Sequence, residues 1–272
     1  MRYFSTLLIA CFLLSCSSSD ESSSYAPTPI NLEIPPLFNS LLLPPSVPTD
    51  NPQTLEGIAL GRKLFYEPLL SKDGTQACAN CHLAENSFTD PNRFSTGITG
   101  EMGTRNAMPI VNLAWYFQNN FLWDGSASSI EDQVNGPIEN PIEMNNSWPN
   151  VVATLQATSE YPELFEQAFG STIITKEFVA KAIAQFERTL ISGNSRFDQY
   201  LLGDDNAVTA QEINGFNIFM DENRGDCFHC HGSEFNPLWT NNAFHNNGLD
   251  SSFEDLGLGG FTGDPLDYGK FK

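Results

Sequence analysis

The chain has 272 residues with 40% hydrophobic content, ordinary for a globular protein and enough for one large or two small domains. That composition excludes a chain disordered throughout. With 33 acidic and 13 basic side chains the formal charge is −20, which argues against nucleic acid as a partner and leaves two explanations, solubility or the steering of a basic partner protein.

The first expected element is a leader. Arg2 precedes the apolar run Leu7 to Leu14, too short for a membrane span of roughly 20 apolar residues, so residues 1–15 read as a signal peptide. Leu13-Leu14-Ser15-Cys16 resembles a bacterial lipobox, which implies cleavage before Cys16 and lipidation of that cysteine. Cys11 would leave with the leader, and the loss of Arg2 would make the charge one unit more negative. From 16 to 52 a serine-rich stretch is followed by Pro27, Pro29, Pro35, Pro36, Pro44, Pro45, Pro48 and Pro52, which reads as a disordered, semi-extended tether.

A short helical pattern containing Gly61-Arg62-Lys63-Leu64-Phe65 then leads into Cys78-Ala79-Asn80-Cys81-His82. Phe178, Ala182, Ile183, Phe186 and Leu190 form an apolar stripe at helical spacing from about Lys176 to Leu190, a helix placed to close a first domain at 192. Thr209-Ala210-Gln211-Glu212 is a capping box opening a second helix, and Gly215-Phe216-Asn217-Ile218-Phe219 there repeats the earlier rhythm ahead of Cys227-Phe228-His229-Cys230-His231. The chain therefore reads as internally duplicated. Its loops are rich in Gly, Asn, Asp and Pro, and no stretch alternates convincingly as a strand.

Both cysteine pairs are C-x-x-C followed at once by His, the form in which two thiols bond a haem covalently and the imidazole takes an axial iron position. With Cys11 leaving with the leader and Cys16 lipidated, no cysteine remains for a disulfide. Zinc is the competing reading, but paired zinc motifs usually lie within a few tens of residues of each other, whereas Cys81 and Cys227 stand most of the chain apart. The expectation is a mainly α protein of two cytochrome c-like haem domains with long loops, at 53–192 and 193–272, carrying two haem c groups on Cys78, Cys81, His82 and on Cys227, Cys230, His231.

From about Leu55 onward the chain resembles the bacterial di-haem cytochrome c peroxidases and the related di-haem enzymes that mature a tryptophan-derived quinone. The resemblance rests on the first haem motif with Phe88-Thr89-Asp90, on Arg105 to Pro109, Phe121 to Gly125, Glu131 to Met144 and Asn194 to Asp198, and on the second haem motif, Phe244 to Gly248 and the closing Thr262 to Lys272. It implies that Glu143 is a distal acid over the first haem, with Gln133 and Pro137 as pocket neighbours, Gln133 as an amide donor. It implies further that Trp123 lies between the haems and that Asn106 belongs to a calcium site. Read alone, Glu143 is a loop carboxylate, Trp123 a core indole, Asn106 a turn residue and His245 a hydrogen-bonded structural histidine.

Two departures from that pattern shape the expected chemistry. The well-known peroxidases carry a distal histidine downstream of the first motif, whereas no histidine lies here between His82 and His229, and Met102 and Met108 are the soft side chains available. The first iron is therefore expected to be open to peroxide without prior reduction. The sequence also stops about forty residues past His231, where relatives continue with the second haem's distal ligand, so it reads as truncated at the C-terminus, either naturally or as a fragment. The implied function is reduction of hydrogen peroxide with electrons from a small donor of cytochrome c or cupredoxin type, in an exported lipoprotein held to the membrane by its anchor alone. Maturation of a protein-derived quinone and non-enzymatic electron carriage are the alternatives.

Overall fold

The computed structural model describes residues 25–272, and the expectations for the leader, Cys11 and Cys16 lie outside the described residues. The described elements are helical and short: α1 (Pro36–Leu41), α2 (Leu55–Phe65), α3 (Ile130–Gln133), α4 (Asn135–Glu139), α5 (Trp148–Gln156), α6 (Tyr161–Phe169), α7 (Lys176–Glu187), α8 (Arg196–Leu201), α9 (Ala210–Phe219), α10 (Phe228–His231) and α11 (Leu258–Thr262). Extended pairing among the described residues is limited to isolated bridges such as Leu83 with Thr89 and His245 with Phe271.

The first half is organised on α2 and α7. Thr54 caps α2 by accepting from the Gly57 amide, and Thr175 caps α7 by accepting from the Phe178 amide. The two helices approach unusually closely because α2 presents glycine to its partner: a Cβ on Gly61 would stand 1.8 Å from the Ala182 carbonyl oxygen. From Ala182 to Glu187 every residue of α7 is buried, so this helix is the axis of the core rather than a surface cover. Leu60, Leu64, Ile138, Val151, Leu155, Phe165 and Ile183 pack into one cluster around it. Each contributes about 1.5–3 kcal/mol of apolar transfer energy.

The expected tether is corrected from residue 25 onward. Residues 25–52 are a strap packed on the first half, with Leu37 and Phe38 buried and Phe38 meeting the Trp115 ring edge-on at 5.0 Å. The Trp115 indole donates to the Leu43 carbonyl at 3.0 Å, Tyr25 donates to the Ala168 carbonyl, and Asn51 donates to Glu131. The prolines read as tether signals leave the intervening apolar side chains free to bury, with Pro36 opening α1 in the first turn, where its missing N–H costs nothing.

The second half is lighter. The capping box on α9 is present, the Thr209 hydroxyl accepting from the Glu212 amide while the Glu212 carboxylate accepts from the Thr209 amide. No residue of α9 is buried, and its packing is an aromatic group in which Phe197 meets Phe216 at 5.1 Å and Trp239 at 5.4 Å. Arg105 ties the halves together. Its guanidinium donates twice to Asp255, at 2.8 Å each, and once to Asp124 at 2.6 Å.

Candidate active site

The first cysteine pair lies in a single turn, where the His82 and Cys81 amides both donate to the Cys78 carbonyl. Ser87 and Phe88 follow with φ of 58° and 57°, a left-handed pair unusual for side chains of their kind, and the kink turns the Phe88 carbonyl back to 2.9 Å from His82 Nδ1. Nδ1–H is thereby committed to the backbone and Nε2 is left as the free, basic nitrogen. Burial lowers the His82 pKa, which favours the neutral ring that an iron ligand must be. Burial also pushes the Cys78 thiol up to about 12 and raises that of Cys81.

Around this motif a cavity of about 360 Å³ is lined by Cys81, His82, Asn106, Met108, Trp123, Gln133, Pro137 and Glu143, among others. A tighter space of about 50 Å³ adjoins it, bounded by Cys78, Cys81, His82, Gln133, Pro137, Glu143 and Glu187. Two unpaired thiols and an imidazole with Nε2 free at one shared cavity are the donor set and the space a covalently held haem needs, and the residues present fit that group.

The fold brings the distal candidates of the sequence to one place. Glu143 sits in a turn after α4 in which Asn140 organises the chain: its Oδ1 accepts from the Ile142 amide and its Nδ2 donates to Glu143 Oε1 at 2.7 Å. Glu143 is half-buried rather than an exposed loop carboxylate, and desolvation raises its pKa. Gln133 ends α3 and donates from Nε2 to Glu187 Oε2 at 2.8 Å. Pro137, in α4, fixes the wall between them, its carbonyl accepting from the Met144 amide.

Trp123 lines both the 360 Å³ cavity and a neighbouring one of about 430 Å³ that contains His231, Lys272 and Met108. Its indole N–H donates to the Asn106 carbonyl at 2.7 Å, which fixes the ring between the two spaces. The Asn106 side chain donates to the Asp90 and Asn92 carbonyls and accepts from Thr89. Met102 is exposed and Met108 half-buried at the boundary of both cavities.

The second motif forms α10. Cys227 is half-buried with its Sγ against the Gly225 carbonyl at 3.3 Å, Cys230 and His231 are exposed, and Phe219 lies 6.3 Å from the His231 ring. His229 points away to Asp226 at 2.6 Å, and His245 Nε2 meets Asn241 at 3.1 Å. Two groups escaped the sequence reading. Glu187 lay inside the amphipathic α7 pattern, where a Glu off the apolar stripe reads as solvated, yet it is 4% exposed and reaches the pocket. Arg105 lay within a quoted motif without a role, and its pairing with Asp255 spans 150 residues, beyond any local signal.

A family model described as di-haem cytochrome c peroxidase matches residues 55–206. The methylamine utilization protein MauG of Methylophilus methylotrophus is 36% identical over 212 residues, which cover 78% of this chain and 61% of that protein. The cytochrome c peroxidase Ccp of Escherichia coli K12 is 36% identical over 214 residues, covering 75% of this chain and 43% of that protein. The chain thus spans 43% to 61% of the length of these two curated relatives. Among solved structures, a MauG-like protein associated with microbial copper homeostasis superposes with a TM-score of 0.77 at 35% identity, covering 89% of this chain and 74% of the other. A helical frame with two C-x-x-C-H motifs opening on adjoining cavities, matched over more than half its length by one family model, places the chain in the di-haem cytochrome c peroxidase family, whose name implies a c-type haem for each motif.

Proposed function

We propose that the protein reduces hydrogen peroxide to water at the pocket of His82, Glu143, Gln133 and Pro137, with electrons arriving from a small redox protein by way of the second motif and Trp123. One observation carries this reading: His82, Glu143, Gln133 and Trp123 share one cavity, and Trp123 also lines the cavity of His231. Cys78 and Cys81 would hold the first haem and His82 its iron, with Cys227, Cys230 and His231 serving the second. The bound haems supply the iron at which peroxide is reduced and the store of electrons for it.

The remaining chemistry belongs to side chains of this chain. Asn140 holds one Glu143 oxygen, leaving the other for the cavity, and burial keeps a proton on this carboxyl to higher pH than on an exposed Glu. In its ionised form a carboxyl so held can take a proton from one peroxide oxygen and, now the acid, return it to the other, which is general acid–base catalysis worth typically 10²–10⁴ in rate. Gln133 and Pro137 orient the bound peroxide and restrict water. With no histidine between His82 and His229, the pocket would accept peroxide without prior reduction. A calcium ion would be taken by Asn106 Oδ1, a hard oxygen donor, with neighbouring carbonyls. Export and a lipid anchor at Cys16 complete the reading.

Glu143→Gln in the haem-loaded protein is expected to lower peroxide turnover by on the order of 10² or more without changing haem content. Turnover within a few-fold of the wild type would remove Glu143 from this role. Electron paramagnetic resonance before any reductant is expected to show one high-spin haem; two low-spin haems would contradict the open pocket.

A further inference from the structure

Gln133 stands where the cavities meet, and its amide nitrogen is already engaged. Nε2 donates to Glu187 at 2.8 Å, while Oε1 accepts from no side chain or backbone group among the described residues. A glutamine so placed offers the pocket an acceptor, the opposite of the donor that the resemblance implies. The partner is itself unusual. Glu187 is 4% exposed, and the Gln133 amide is the one hydrogen-bond donor its carboxylate has among the described residues. Its neighbour in sequence, Arg188, pairs with Glu131 at 2.8 Å instead.

We propose that Glu187 is a positioning residue whose protonation decides which end of the Gln133 amide faces the peroxide cavity. The proposal rests on the reading of Gln133 as a pocket group. As a carboxylate, Glu187 can only accept, so Nε2 must point to it and Oε1 to the cavity. As a carboxylic acid it has one O–H, which can be given to Oε1 across the same 2.8 Å separation, and a half-turn of the amide then presents the –NH₂ group to the cavity. The exchange moves one proton on and off Glu187 and leaves the heavy-atom positions nearly unchanged.

The groups that face Glu187 favour the acid. Desolvation is the largest influence and the Glu131 carboxylate adds to it, while the Arg188 guanidinium and the Gln133 donor oppose them, and the balance holds the carboxyl at about 8. Cys78, Cys81, His82 and Glu143 border the same small space. The balance favours the acid, the form in which Gln133 would present its donor to the cavity.

Infrared difference spectra of the haem-loaded protein between two pH values test this without reference to turnover. The wild type is expected to show a protonated-carboxyl C=O stretch that is absent from Glu187→Gln, with a titration midpoint that rises in Gln133→Leu, where the donor to the carboxylate is gone. Absence of any Glu187-dependent band, or a midpoint unmoved by Gln133→Leu, would overturn the proposal. A second readout is the pH profile of peroxide turnover: the alkaline fall of the wild type should vanish in Glu187→Gln, whose amide can hold Gln133 at any pH, and its persistence would also count against the proposal. Should Glu187→Gln fail to fold, the Gln133→Leu midpoint decides alone. A protein with no peroxide turnover would sink the peroxidase reading, while the infrared bands would still settle the role of Glu187.

Discussion

At the scale of single residues, Cys78-x-x-Cys81-His82 was legible as a unit because such a motif has a fixed local spacing, and the fold sets all three side chains at one small cavity. Glu187 was not, because its role comes from the α3–α7 contact, 54 residues apart in sequence. Its burial has a consequence for stability. The ordinary carboxyl value is 4.5 and the folded one about 8, so between those limits the folded chain holds a proton that the unfolded chain has lost. Stability from this group is full below 4.5, falls by about 1.4 kcal/mol per pH unit as pH rises, and levels off above 8. Glu187→Gln should remove that slope. Urea unfolding at several pH values between 5 and 8 checks it, and parallel slopes in variant and wild type would show that Glu187 is not the titrating group.

At the scale of elements, the helices whose signal is local were read correctly, and those that depend on distant partners were not. The apolar stripe and the capping box gave α7 and α9, although α7 ends at Glu187 rather than Leu190. The strap was misread because proline and serine content speaks of backbone stiffness and solvation, whereas its order comes from Trp115 and Ala168, far along the chain. The repeated Gly61 and Gly215 make a direct test of packing against propensity. A methyl on Gly61 meets the Ala182 carbonyl, so Gly61→Ala must push α2 from α7 and should cost about 2 kcal/mol or more. Gly215→Ala meets nothing within 4 Å and should be neutral or stabilise by up to about 1 kcal/mol through helix propensity. Denaturant midpoints of the two variants measure the contrast, and equal effects would show that the α2–α7 approach is looser than described.

At the scale of the whole molecule, charge and topology together suggest where electrons would enter. Cys230 and His231 are exposed, and in the segment leading into them Glu222 and Asp226 are exposed with Arg224 between them, so that segment is net acidic. The excess of 33 acidic over 13 basic side chains reinforces that field at long range. A cationic donor protein would be steered there, with association accelerated by about 10–10³ at low salt. Because the Debye length is about 8 Å at physiological ionic strength, most of that acceleration disappears as salt rises. Oxidation of a cationic redox protein by the haem-loaded chain should therefore slow steeply between low and moderate salt, while oxidation of an uncharged small reductant should not. Reversing the charges at Glu222 and Asp226 to Lys should flatten the salt dependence for the protein donor, whereas Glu166→Lys, on the exposed face of α6 in the first half, should change it little. Equal effects from the two sites would mean that net charge alone sets the rate, and the second motif would lose its place as the entry point.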